Sequence, residues 1–137
     1  MSARYRTRAS NRDGGTGFSS VDGGLSVAVA NPLDATADAA ATNPEQLLAL
    51  AWATCLNATA QVIVAGERKT AVDVEVELHE AAGRAGYEFH VTAHVSADGL
   101  DEASTRSLAE AAHARCPVSR LLQAAATVWV RPAVYVA

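Results

Sequence analysis

Thr42-Asn43-Pro44-Glu45-Gln46-Leu47-Leu48-Ala49-Leu50-Ala51-Trp52-Ala53-Thr54-Cys55 opens a helix-forming run that continues to Ala65 and stops at Gly66. It carries two alternative start signals. Thr42 with Glu45 fits a capping box, whereas Asn43 with Pro44 fits a cap followed by proline at the first helical position. Gly66 supplies the residue that most readily ends a helix. Along the run, Leu47, Leu48, Leu50, Trp52, Leu56, Val62, Ile63 and Val64 do not fall on one stripe. A helix that is apolar nearly all round must be covered nearly all round. A chain of 137 residues can rarely enclose a helix of about six turns by itself. The expectation is that sheet covers one face and a second subunit another.

Working outward from this helix, Val72, Val74, Val76 and Leu78 alternate with acidic residues, and Phe89, Val91, Ala93 and Val95 alternate with polar ones. These predict two long antiparallel strands joined through residues 82–86. Asp101 is placed to cap a helix running to about Arg115. Cys116-Pro117-Val118-Ser119 breaks that helix, a short helical piece follows, and residues 125–136 read as a final strand. Upstream, residues 33–41 read as a mobile loop, and Leu25, Val27 and Val29 as a half-buried strand ending at Asn31-Pro32. Residues 11–15 form a turn cluster between two short strands, and the alternation of Tyr5 and Thr7 with Arg4, Arg6 and Arg8 reads as an edge strand. The order is α+β without a repeated strand–helix–strand unit, in a single domain over residues 1–137.

Half of the residues are apolar and 19% are charged, with a net charge of −4. An acidic balance argues against nucleic acid as a partner. The polar residues Glu45, Gln46, Asn57 and Gln61 interrupt the apolar helix, so a membrane-spanning role is not expected. No apolar signal core follows the N-terminal arginines, and the expected location is the cytoplasm, where thiols are kept reduced.

The chemistry of interest rests on two cysteines, Cys55 within the apolar helix and Cys116 directly before Pro117. They form no C-x-x-C pair, and the four histidines show no zinc-ligand spacing with them. Each can be an inert core residue. Alternatively, Cys55 is a nucleophile and Cys116 a resolving thiol whose position at a helix break provides mobility or exposure. A nucleophilic thiol needs a cation to lower its pKa. None lies between Asp13 and Glu67, which makes Arg12 the nearest upstream candidate and Arg8 the second. Glu45, at the helix start, could orient such an arginine. Glu45 and Cys55 are ten residues apart on one helix, a separation of about 15 Å. They can share a site only if two copies of the helix meet about a two-fold axis. His113 and Ser119 read as local hydrogen-bonding residues, and Trp52 and Trp129 as core or pocket walls. His90 and His94 read as a solvated strand face, and no metal site is expected.

TNPEQLLALAWATC, followed by HARCPVS, resembles the OsmC/Ohr superfamily of osmotically induced and organic hydroperoxide resistance proteins. The resemblance covers nearly the whole chain. It implies an OsmC/Ohr-like α+β fold with antiparallel sheets packed around long central helices in an intertwined homodimer. By the same resemblance the active site lies at the subunit interface, and organic (alkyl or lipid) hydroperoxides are the substrates. Cys55 would be the peroxidatic cysteine and Cys116 the resolving one, joined as a disulfide in turnover. Glu45 would position the catalytic arginine, for which Arg12 in Arg12-Asp13-Gly14 matches the Ohr pattern. The second motif, CPVS, instead matches the OsmC branch. No bound cofactor is implied; the reductant would be an external dithiol such as dihydrolipoamide or a lipoylated protein. The alternative on the same fold is a non-catalytic redox sensor or a binding protein for apolar ligands.

Overall fold

A computed structural model describes residues 1–137. The chain divides into two compact units, residues 1–47 and 48–137. In the first, β1 (Ala9–Asn11), β2 (Gly17–Val21) and β3 (Ser26–Val29) form an antiparallel sheet in that order. The turn between β1 and β2 is built by side chains. Asn11 Oδ1 accepts from Gly14 N at 2.7 Å, and Asp13 Oδ2 accepts from Phe18 N at 2.9 Å. Gly17 adopts a φ of 106°, and a β-carbon there would collide with the Asp13 carboxylate, so this corner requires glycine.

Residues 4–8 are not a strand, contrary to the sequence reading. β2 ends at Val21, opposite Ala9, and Arg8 O accepts one further bond from Asp22 N at 2.9 Å. No partner strand extends beside the preceding residues, and alternation alone cannot form a ladder. Residues 33–41 contain no helix or strand. They are organised by Asx turns, in which Asp34 accepts from Thr36 N and Asp38 from Ala40 N, both at 2.9 Å.

Helix α1 (Pro44–Ile63) begins in the first unit and continues into the second. There follow β4 (Thr70–Glu80), β5 (Tyr87–Ala97), α2 (Glu102–Arg115), α3 (Pro117–Leu122) and β6 (Val128–Pro132). The sheet order is β4-β5-β6. β4 and β5 pair antiparallel over their full length, from Thr70 opposite Ala97 to Glu80 opposite Tyr87. β6 pairs with β5 in parallel, because α2 and α3 carry the chain back before β6 begins. The expectation of purely antiparallel sheets therefore fails at this one pair. The final strand is also shorter than residues 125–136. After Pro132, which has no amide hydrogen, a single bond from Ala133 N to Val95 O (2.8 Å) ends the pairing.

One face of this sheet is the core. Val91, Ala93 and Val95 of β5 pack with Trp52, Leu56 and Ala60 of α1 and with Leu108, Ala109 and Ala112 of α2. The i, i+4, i+8 spacing on α1 places its three buried residues on one line. The opposite sheet face carries Glu77, His79, Glu88 and His90, where Glu88 pairs with His90 at 3.0 Å and His79 stacks on His90 at 4.0 Å. Trp129 belongs to this outer face. It is exposed beside His90, not in the core, because Val128 and Val130 take the inward positions of β6.

The sheet covers one line of α1, as expected, together with α2; away from that line Leu50 is 64% exposed and Val62 66%. By length and composition α1 is long and apolar enough to cross a membrane, despite the polar residues that interrupt it. Its buried line, Trp52, Leu56 and Ala60, is part of the core of the second unit. Truncating Leu56, fully buried at the centre of that line, to alanine should cost about 2–5 kcal/mol. Chemical denaturation should show a lowered midpoint with an unchanged slope.

Candidate active site

The start of α1 is capped by Asn43, whose Oδ1 accepts from Gln46 N at 2.9 Å, with Pro44 at the first helical position. Thr42 Oγ1 donates to Gln46 Oε1 at 2.9 Å instead of forming a box with Glu45. Glu45 is thereby freed from capping. Its Oε2 is excluded from solvent and has no hydrogen-bond partner. A carboxylate oxygen in that condition is costly unless a donor reaches it. Arg12 is exposed, with its Nη1 3.5 Å from Ser10 Oγ, and forms no ion pair with Glu45 within the chain.

Cys55 and Cys116, 61 positions apart in sequence, are brought together as free thiols. Cys55 is half-buried on α1, three residues beyond Trp52. Cys116 is fully buried, which corrects the expectation that the helix break exposes it. The break itself is where it is anchored. Cys116 N donates to Ala112 O at 2.9 Å as the last bond of α2, and Cys116 Sγ accepts from Ser119 N at 3.5 Å as the cap of α3. One residue thus ends one helix and starts the next.

Burial pushes the Cys55 thiol pKa up. The Val118 backbone N–H, donating toward Cys55, pulls it down, and the neighbouring Cys116 thiol raises it again through hydrogen bonding and charge. None of these acting groups is cationic. The two thiols therefore form a reduced, contiguous pair, one sulfur reachable and one not, still lacking the positive charge that a thiolate nucleophile needs.

Two further residues reach beyond the local roles expected of them. Ser119 is fully buried, and its Oγ accepts from Trp52 Nε1 at 2.9 Å, across 67 positions of chain. A buried indole N–H is a signal that such a partner must exist, but sequence does not say which hydroxyl it is. His113 lies beside Trp52, ring centroids 6.4 Å apart; its Nδ1 is buried without a partner, and burial pushes its pKa down. A separate cavity of about 290 Å³ lies between Leu100, Thr105, Val134 and Tyr135 and is not lined by either cysteine.

The family model for OsmC-like protein matches residues 34–131, which include Glu45, Cys55 and Cys116. The chain belongs to the OsmC-like family. A protein of Mycoplasma pneumoniae described as organic hydroperoxide resistance protein-like is 32% identical over 130 residues, covering 90% of each chain. The organic hydroperoxide resistance protein OhrB of Bacillus subtilis is 31% identical over 123 residues, covering 86% of this chain and 90% of its own. The crystal structure of that OhrB superposes with a TM-score of 0.84 at 27% identity, covering 97% of this chain and 100% of the other. The OsmC/Ohr α+β fold expected from the two cysteine motifs is therefore the fold of this chain. Organic hydroperoxide resistance is the property for which these relatives are named.

Proposed function

We propose that this OsmC-like protein is a thiol-dependent peroxidase that reduces organic hydroperoxides to alcohols. The observation that carries the reading is the pairing of a half-buried Cys55 with a fully buried Cys116, both free thiols packed in one core cluster. The Cys55 thiolate attacks the outer peroxide oxygen; the O–O bond breaks, the alkoxide takes a proton and leaves as alcohol, and Cys55 becomes sulfenic acid. Cys116 then displaces hydroxide from that sulfur, giving the Cys55–Cys116 disulfide and water. An external dithiol, such as dihydrolipoamide or a lipoylated protein, returns both thiols by exchange. It attacks Cys55, the sulfur within reach, and Cys116 is the leaving thiolate. No resident cofactor takes part, and the reducing cytoplasm suits this resting state.

Arg12, oriented by Glu45, supplies the missing cation. The solvent-excluded, unpartnered Glu45 Oε2 supports a guanidinium partner. Because Glu45 and Cys55 are about 15 Å apart along one helix, the site is completed in a homodimer, Glu45 of one copy serving Cys55 of the other. The exposed Leu50 and Val62 supply apolar surface for that association. The apolar residues around Cys55 favour alkyl or lipid hydroperoxides over hydrogen peroxide.

One observation favours a second reading, a non-catalytic redox sensor or binding protein for apolar ligands: the groups acting on Cys55 raise its pKa on balance. Thiol titration after one equivalent of cumene hydroperoxide separates the two. The peroxidase should lose both thiols within seconds as an intramolecular disulfide, faster than with hydrogen peroxide, and dihydrolipoamide should restore both. In Cys116→Ser, only Cys55 should react, and excess peroxide should carry it on to sulfinic acid. Two thiols that persist for minutes would support the sensor or binding reading instead.

A further inference from the structure

We propose that Trp52 and Ser119 are positioning residues that hold Cys116 in line with Cys55 for the disulfide-forming step. The inference rests on the peroxidase reading and goes beyond it, since it assigns roles to two residues that form and break no bond in the reaction.

The argument is one of register. On α1, Trp52 and Cys55 are three positions apart and share a face. At the start of α3, Cys116 and Ser119 are likewise separated by three, as cap and third helical residue. The hydrogen bond from Trp52 Nε1 to Ser119 Oγ joins one end of each pair at 2.9 Å, and the two thiols join the other. α1 and α3 are thus tied at two points, one permanent and one that changes with oxidation state. Trp52, Ser119 and Cys116 are all fully buried, so water cannot replace the indole–hydroxyl bond at low cost.

The chemistry makes the permanent point necessary. In the reduced chain Cys116 Sγ accepts from Ser119 N at 3.5 Å and so caps α3. When the S–O bond of the Cys55 sulfenic acid breaks and the S–S bond forms, with water leaving, Cys116 Sγ must approach to about 2.05 Å of Cys55 Sγ. Its reorientation weakens the cap. α3 has only six residues and little stability of its own. The bond from Ser119 to Trp52 keeps its first turn in place while the sulfur moves. A displacement of about 1 Å at such a step can slow it a hundredfold.

The experiment compares native chain, Ser119→Ala, and the double variant Trp52→Phe with Ser119→Ala. Ser119→Ala leaves a buried indole N–H without a partner, which destabilises the fold. The double variant removes donor and acceptor together and leaves no unsatisfied group. Each reduced protein is mixed with one equivalent of cumene hydroperoxide. Dimedone, which traps sulfenic acid, and mass spectrometry then report the rate of Cys55 oxidation and the rate of disulfide closure. In both variants the ratio of closure to oxidation should fall at least about tenfold, with dimedone adduct accumulating on Cys55. The double variant should show this even though its thermal midpoint lies closer to native than that of Ser119→Ala. A native ratio in the double variant overturns the positioning role. A native chain that forms no disulfide at all overturns the peroxidase reading, and the inference with it.

Discussion

Cys55→Ser should reduce the rate of cumene hydroperoxide consumption by about a thousandfold or more, to the level of protein-free buffer. The size of the loss follows from what the sulfur does. A serine hydroxyl is far less acidic than a thiol, and its oxygen cannot form the S–O bond that stores the oxidising equivalent. Burial at position 55 already works against the charged form of the thiol, and it would work harder against an alkoxide. Cys116 cannot substitute, because it is fully buried and serves as the cap of α3. The substitution is nearly isosteric at a half-buried site, so thermal unfolding should change little, and the loss can be read as chemistry. Retention of full activity in Cys55→Ser would remove the central proposal.

The elements around these thiols were legible in the sequence to different degrees, and the differences have physical causes. α1 was legible because its signals are local: Asn43 and Pro44 at one end and Gly66 near the other lie within a few residues of the groups they affect. The β4–β5 hairpin was legible because strict alternation over 11 paired positions leaves no competing register. The Asp101 cap of α2 was legible for the same local reason, its Oδ1 accepting from Ser104 N at 2.8 Å.

What was not legible depends on residues distant in sequence. Alternation in residues 4–8 resembles a strand, but whether a neighbour exists to pair with is decided elsewhere in the chain. Trp129 looked like core by its size, whereas the inward positions of β6 belong to Val128 and Val130. Cys116 looked accessible because helix breaks usually are, yet here the buried line of α2, Leu108 and Ala112, continues directly into it. Ser119 read only as a local hydrogen-bonding residue. Its importance comes from an indole 67 positions away that needs an acceptor.

Arg12→Ala should lower the second-order rate with an alkyl hydroperoxide by about a hundredfold at pH 7. It should also move the midpoint of the pH–rate profile upward. The direction is fixed by charge. A guanidinium beside Cys55 would favour the thiolate, so removing it would leave burial opposed only by the Val118 N–H and raise the thiol pKa. Below that pKa the rate follows the thiolate fraction. The deficit should therefore be greatest at low pH and shrink as pH rises, without vanishing, because charge developing on the departing oxygen also loses its donor. Glu45→Gln should move both quantities the same way by a smaller amount, since an amide oxygen still accepts from arginine but brings no charge. Arg12→Lys should rescue only in part, because a point charge cannot reproduce the planar fork. Arg12 is exposed and bonded only weakly, to Ser10 at 3.5 Å. Its replacement should leave monomer stability within about 0.5 kcal/mol, and a lost rate cannot then be ascribed to unfolding. An unchanged rate and profile in Arg12→Ala would mean that another cation activates Cys55, and Arg8→Ala is the next variant to measure.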